Sequence, residues 1–267
     1  MVKTSISTTF NYDIPIDEQL VLIKEAGFTY VSLGMNYDHS RILDDGGAEK
    51  LAIMIDKSGL KVDTIHGYDL DQEDALLINE KLAVAAKTLD TSVIVVHCSS
   101  FWFPDTEFEK KKEIVSTKIE RIEELAKQYQ IRFAFENVVP GSPTKLCEEM
   151  IRMANPEYVG FCYDSSHDQI DGPNNMDLLN RMKDRVIAVH MSDRIKEFVD
   201  HVVPVEGFIH FDEIIPILKE IRYNSPMLME VEMTHSQYKD VKEFLRQTHT
   251  AALYLAELEG NRTYSSL

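Results

Sequence analysis

Eight short apolar runs, each followed by an amphipathic stretch, constrain this chain more than any other feature. The runs occupy residues 4–10, 30–35, 61–67, 92–98, 132–138, 159–167, 186–193 and 226–233. Helical spacing of apolar residues marks 15–26, 48–58, 74–90, 109–130, 143–154, 175–184, 211–223 and 237–258. Gly59, just past the second of these, is placed as a helix C-cap. Strands alternating with helices are the pattern of a parallel sheet with crossover helices. Eight such units in about 250 residues fit a closed (β/α)8 barrel. A doubly wound open sheet usually carries a glycine-rich loop after its first strand, whereas Phe10-Asn11-Tyr12-Asp13-Ile14 stands there. The expectation is one α/β barrel domain over residues 1–260 and a flexible polar tail over 261–267.

Composition narrows the function. Among 267 residues, 28 Lys and Arg face 45 Asp and Glu, a formal net charge of −17. Such a field repels phosphate backbones, so no nucleic-acid partner is expected. No apolar run approaches the roughly 18 to 20 residues that span a bilayer. The opening residues lead straight into a strand pattern, so neither a signal peptide nor a membrane partner is expected. Cys98, Cys147 and Cys162 are widely spaced and form no CxxC pair, which suits a reducing cytoplasm.

The apolar runs change character at their ends. Val93-Ile94-Val95-Val96 leads into His97, Phe133-Ala134-Phe135 into Glu136, and Phe161-Cys162-Tyr163 into Asp164 and then His167. Ile187-Ala188-Val189 leads into His190, Met227-Leu228-Met229 into Glu230 and then Glu232, and the third run into His66. Strand side chains alternate, so Glu136 shares a face with Ala134, Asp164 with Cys162, His190 with Ala188 and His97 with Val95. Phe133, Phe135, Phe161, Tyr163, Ile187, Val189, Met227 and Met229 take the other face, suited to packing against helices. The ionisable groups therefore point into the barrel mouth at the C-terminal ends of the strands, where barrel enzymes hold their active sites. Any one of them alone reads as an ordinary polar strand end. Six strands ending alike call for a compensating cation or proton. Two Glu, one Asp and one His offer three oxygens and one nitrogen, a set for one divalent ion: Mn²⁺, Mg²⁺, Co²⁺ or Zn²⁺.

Phe-Glu-Asn-Val at 135–138, Tyr-Asp-Ser-Ser-His at 163–167, Val-His-Met-Ser-Asp at 189–193, His-Val-Val-Pro-Val-Glu-Gly at 201–207 and Met-Glu-Val at 229–231 occur in that order. Together they resemble the xylose-isomerase-like TIM-barrel superfamily, which includes sugar isomerases and epimerases, inosose and dehydroshikimate dehydratases, and AP endonucleases. The resemblance spans essentially the whole chain. It implies that Glu136, Asp164, His190 and Glu230 are metal ligands, with Glu232 the alternative to Glu230 on the last strand. It implies that His66, His97, His167 and Glu206 contact substrate. Glu206 sits in Pro204-Val205-Glu206-Gly207, where Val replaces the first glycine of the related loop.

The activity implied is that of a metal-dependent isomerase or epimerase on a small sugar, ketose or cyclitol. Glu136 and Glu230 would exchange the proton next to a carbonyl through an enediolate. The same groups serve a dehydratase if a β-hydroxyl leaves instead. A trinuclear zinc endonuclease would use His66, His97 and Glu136, then His167, His201 and an Asp two residues before that His. Position 199 is Val and Asp200 is adjacent, so that third group is expected to be incomplete. Relatives suggest a homodimer or homotetramer. Tyr68, Trp102 and Phe103 are either mouth aromatics or loop packing, and Arg194 is either an anion contact or a surface salt bridge. Cys98 and Cys162 read as small core residues.

Overall fold

The computed structural model describes residues 3–170, 172 and 174–257. The tail expected over 261–267 lies outside these residues. Eight strands are present: β1 (Thr4–Ser7), β2 (Tyr30–Leu33), β3 (Lys61–His66), β4 (Val93–His97), β5 (Arg132–Glu136), β6 (Val159–Asp164), β7 (Val186–His190) and β8 (Met227–Met229). All ladders are parallel and run in chain order from β1 to β7, with β8 beside β1. The result is a nearly closed TIM barrel. Its last seam, between β7 and β8, is spanned by a bridge at Met191 and Met229. There the Met191 N–H donates to Leu228 O at 2.9 Å and the Glu230 N–H to Met191 O at 3.1 Å.

The helices in chain order are α1 (Ile16–Glu25), α2 (Tyr37–Ser40), α3 (Gly47–Ser58), α4 (Ala75–Thr88), α5 (Phe108–Ser116), α6 (Ile119–Tyr129), α7 (Ser142–Met153), α8 (Ser165–Asp168), α9 (Asp177–Met182), α10 (Phe211–Glu220) and α11 (Val241–Glu257). Gly59 closes α3 in the left-handed conformation at φ 71°, as its sequence position predicts. The helix expected over 109–130 is instead two, α5 and α6. At their junction the Ser116 and Thr117 hydroxyls donate to Glu113 O and Ile114 O, and Lys118 Nζ leaves the helix line to donate to Leu70 O and Gln72 O. Among the described residues no helix is long and apolar enough to cross a membrane.

Two apolar clusters separate the faces of the strands. The large one lies between sheet and helices and includes Phe133, Phe135, Phe161, Tyr163, Val189, Met227 and Met229. The small one fills the lumen with Val95, Ala134, Cys162 and Ala188. Small residues inside and large ones outside are what the alternation of the sequence predicts, with Ile187 as the exception. The β6–β7 register shifts between Phe161 and Cys162, and Ile187 turns inward beside the lumen cluster. Gly160 makes room for it, since a Cβ there would stand 2.7 Å from the Ile187 side chain.

Candidate active site

The strand ends deliver the ionisable groups into one buried cluster. Glu136 closes β5, Asp164 closes β6, His190 closes β7 and Glu230 follows β8; one ligand atom from each lies within 4.8 Å of all the others. Glu136 is the hub. Its Oε2 stands 3.3 Å from His66 Nε2 and 3.4 Å from His97 Nε2. Its Oε1 stands 3.3 Å from His167 Nδ1 and 3.2 Å from His190 Nδ1, while His190 Nδ1 is 2.7 Å from Glu230 Oε2.

The donors fit a divalent ion. Both Glu136 oxygens, Asp164 Oδ2, His97 Nε2 and His190 Nδ1 are buried without a well-directed hydrogen bond among the described residues. Leaving such groups unpaired costs about 1–3 kcal/mol each, more for a charge, so their collection in one place points to a ligand that takes their lone pairs. The chain otherwise balances the site with protons. Burial opposes charge on Glu136, yet the His190 and His97 rings hold it well below the usual carboxylate range. Burial opposes charge on His190 too, but Cys162, Glu136 and Glu230 push it well above an ordinary histidine. His97 is raised to about 10 against its burial by Glu136 and Asp69, and Glu230 is lowered to about 2 against its burial by His190. A divalent cation held here would supply the positive charge that these imidazolium protons otherwise provide.

Surrounding groups aim the donors. His97 Nδ1 lies 3.2 Å from Asp69 Oδ1 and His66 Nδ1 lies 3.2 Å from Gly67 O, so both rings turn Nε2 to Glu136. Asn137 staples β5 to β6, donating to Asp164 O at 2.9 Å and accepting from Asp164 N at 2.8 Å. Asp164 Oδ1 caps α8 by accepting from His167 N (2.7 Å) and Ser166 Oγ (3.0 Å), which leaves Oδ2 to the cluster and seats His167 on its rim.

The loop after β7 is bolted by Asp193. This buried carboxylate accepts the N–H groups of Arg194, Val205, Gly207 and Ile209 at 2.7 to 3.0 Å. Position 207 has to be glycine, because a Cβ there would stand 2.4 Å from Asp193 Oδ1 and 2.1 Å from Arg194 O. Arg194 is not a surface salt bridge. It is 2% exposed, with Nε donating to Ser166 O and the guanidinium paired with Asp200. The other Asp200 oxygen stands 3.5 Å from His201 Nδ1 and turns Nε2 of that ring towards Glu230, 3.9 Å away.

Seven of the eight expected site residues meet here. Glu206 does not: its oxygens accept Val203 N, Ser236 Oγ and Gln237 N, bracing the loop after β7 against the one after β8. Glu232 also lies apart, lining a 410 Å³ cavity with Tyr12 and Met233, so Glu230 is the donor the last strand delivers. The third donor group, expected to be incomplete, assembles differently: Asp164, His167 and His201 come together, with Asp164 in place of an Asp at 199. His66, His97 and Glu136 form a further group. Cys162 stands beside His190 and Glu136, but burial pushes its thiol up to about 12, as befits a core residue. Phe103 is buried with the Lys111 ammonium 5.8 Å from its ring centroid, whereas Trp102 is open. Phe101, which no strand pattern singles out, lies edge-on to His167 with ring centroids 5.1 Å apart.

A model of the family described as xylose isomerase-like TIM barrel matches residues 20–248. Uncharacterized protein y4fM of Sinorhizobium fredii is 23% identical over 92% of this chain and 90% of its own. An inosose dehydratase of Lacticaseibacillus casei is 23% identical over 49% of each chain, so the match spans about half of that enzyme. Among solved structures, the IolI protein with a bound zinc atom superposes with a TM-score of 0.76 at 18% identity, covering 96% of this chain and 98% of its own. D-psicose 3-epimerase of Clostridium cellulolyticum, solved with D-tagatose, gives 0.77 at 15% identity, covering 96% and 100%.

Proposed function

The chain belongs to the xylose isomerase-like TIM barrel family, and from that membership and the mouth geometry we propose that it is a divalent-metal-dependent isomerase or epimerase. Its substrate would be a small sugar, ketose or cyclitol, and its place of work the cytoplasm. The observation that carries this is the buried hub Glu136, with both oxygens unsatisfied and three further donors beside it. Glu136, Asp164, His190 and Glu230 would hold the ion. When bound, a divalent ion polarises a substrate carbonyl and acidifies the adjacent C–H.

Glu136, kept ionised by the imidazoles around it, is poised to take the α proton. Glu230, which follows β8, three strands round the barrel from the β5 end that carries Glu136, would return a proton to the enediolate. His201, raised to about 9 against its burial by Asp200, Asp164 and Glu230, stands 3.9 Å from Glu230 as a proton source. His66, His97 and His167 would orient the substrate oxygens. A dehydratase is the alternative outcome on the same groups, supported by the partial likeness to inosose dehydratase. The two additional donor groups are the specific observation that favours more than one ion and the endonuclease alternative, whereas the −17 net charge opposes a DNA substrate.

Metal content per chain and α-proton exchange in deuterated water test this. The expected result is about one Mn, Mg, Co or Zn per chain and metal-dependent exchange on a ketose or cyclitol, both lost in Glu136→Gln. Loss of water from the product would select the lyase. Two or three zinc ions per chain with cleavage of abasic DNA would replace the proposal with the nuclease.

A further inference from the structure

The two ends of the barrel collect opposite charges. Carboxylates gather at the C-terminal mouth, and arginines gather at the N-terminal floor. Asp and Glu outnumber Lys and Arg by 45 to 28, so an arginine of this chain has carboxylates in surplus around it. Six of the nine described arginines are paired with one: Arg41, Arg121, Arg152, Arg181, Arg194 and Arg246. The three without an ion pair among the described residues are Arg132, Arg185 and Arg222, and all three stand at the floor. Arg132 opens β5, Arg185 immediately precedes β7, and Arg222 follows α10 on the way into β8.

Their surroundings leave donors over. Arg132 Nη2 donates to Pro156 O at 2.9 Å, and Arg185 Nη2 to Val159 O at 2.7 Å and Ala154 O at 3.3 Å. Nε of each is buried without an acceptor among the described residues. A guanidinium carries five N–H donors and keeps its charge in proteins, so a carbonyl or two satisfies neither its donors nor its charge. Burial opposes the charge on both groups, and Arg132 opposes it further on Arg185. Pinning the 154–159 segment explains one or two donors of each. It does not explain why two cations that repel each other share this place with no carboxylate between them.

A cavity of 560 Å³ opens beside them, a size that holds a small molecule. Arg132 and Arg222 both line it. It lies where β7 and β8 share no ladder, with Ile187 on one side and Tyr223 on the other. Lys183 and Glu220 line it too, but they pair at 2.7 Å and cancel. Asp184, exposed, is the one lining charge that opposes the arginines without a cation of its own among the described residues. The acidic surface elsewhere matters little to a single bound ion, since charges beyond about 8 Å are largely screened at physiological ionic strength.

We propose that the floor cavity binds a phosphate dianion, free or as the headgroup of a small phosphorylated metabolite, between Arg132 and Arg222 and with the charge of Arg185 in support. The planar fork of a guanidinium matches two phosphate oxygens at once. The site is at the opposite end of the barrel from Glu136 and takes no part in the chemistry proposed there. A bound dianion ties the start of β5 to the segment that enters β8, and so stabilises the folded chain in proportion to its occupancy.

Zinc-loaded full-length protein is titrated with inorganic phosphate, with glycerol 3-phosphate and with glycerol, and backbone amide shifts are followed by NMR so that floor and mouth report separately. The expected result is a saturable shift at Arg132, Arg222 and Asn224 with both phosphates and none with glycerol. Arg222→Gln and Arg132→Gln should each weaken binding by about tenfold, the equivalent of one charge-assisted hydrogen bond. Asp184→Asn should tighten it several-fold. The Arg222 side chain makes no hydrogen bond or ion pair among the described residues, so Arg222→Gln tests the site even if Arg132→Gln, which releases Pro156 O, fails to fold. Tighter binding of glycerol 3-phosphate identifies the metabolite as the source, and equal binding identifies the free ion. No saturable shift at the floor, shifts confined to the surroundings of Glu136 and His190, or affinities unchanged in Arg222→Gln overturn the proposal. None of these outcomes depends on whether the mouth exchanges α protons.

Discussion

Asp193 and Glu136 are both wholly buried carboxylates at the C-terminal end of the barrel, and their surroundings are opposite. Asp193 accepts four backbone N–H groups and ties down the loop after β7. Glu136 accepts no well-directed hydrogen bond among the described residues and is ringed by imidazoles. Burial alone would rank them as equals. The difference lies in whether the chain itself supplies the partners: a carboxylate satisfied by backbone builds shape, and one left unsatisfied is kept for something that arrives.

Exchanging each acid for its amide separates the two roles. Glu136→Gln should lower α-proton exchange by about 10³-fold or more, while the metal-free variant melts close to the wild-type apoprotein, since His97 and His190 can release the protons that balanced the lost charge. Asp193→Asn should do the reverse. Its amide nitrogen faces N–H donors, and the loss should be about 3 kcal/mol, a fall in melting temperature of roughly 6–12 °C. Activity per folded molecule should fall far less. An unfolded Glu136→Gln, or an inactive Asp193→Asn of unchanged stability, would break the comparison.

Two smaller effects sharpen it within the lumen. Gly160→Ala should cost about 1–3 kcal/mol by colliding with Ile187, and Ile187→Ala should recover part of that in a double-mutant cycle. Asp63 is a third kind of carboxylate, raised to about 7 by burial, with the Ser5 hydroxyl opposing. Its folded value lies above its unfolded one, so the native state holds the proton more tightly and loses stability as pH rises from about 4 to about 7. Asp63→Asn should therefore stabilise the protein at pH 8 by about 1 kcal/mol once solvent screening at this partly exposed site is allowed for, read as a higher urea midpoint, and the gain should vanish near pH 4.

What was legible in the sequence was whatever depends on period and order. Eight alternating units name the barrel, and the parity of Ala134, Cys162 and Ala188 with Glu136, Asp164 and His190 names the face that carries the cluster. Ile187 escaped because a register shift between two strands leaves no mark on either alone. Arg194 and Glu206 look like surface or site residues until the loop after β7 folds back over them, and only that fold shows them bracing it. The aiming of His97 by Asp69 and of His201 by Asp200 joins separate loops or an irregular hairpin, where periodicity is silent. The third donor group takes its acid not from position 199 but from Asp164, which caps α8 and so stands beside His167.

The seam between β7 and β8 has a consequence for timing. Every other neighbouring strand pair is held by a ladder, whereas here a bridge at Met191 and Met229 does the work. His190 stands on one lip of that seam and Glu230 on the other. Thermal breathing of the barrel should begin where its lacing is thinnest, and each such opening parts two donors of the same cluster. The residence time of a captured ion and the amide exchange rates at Met191 and Glu230 should then rise and fall together, as two clocks driven by one hinge.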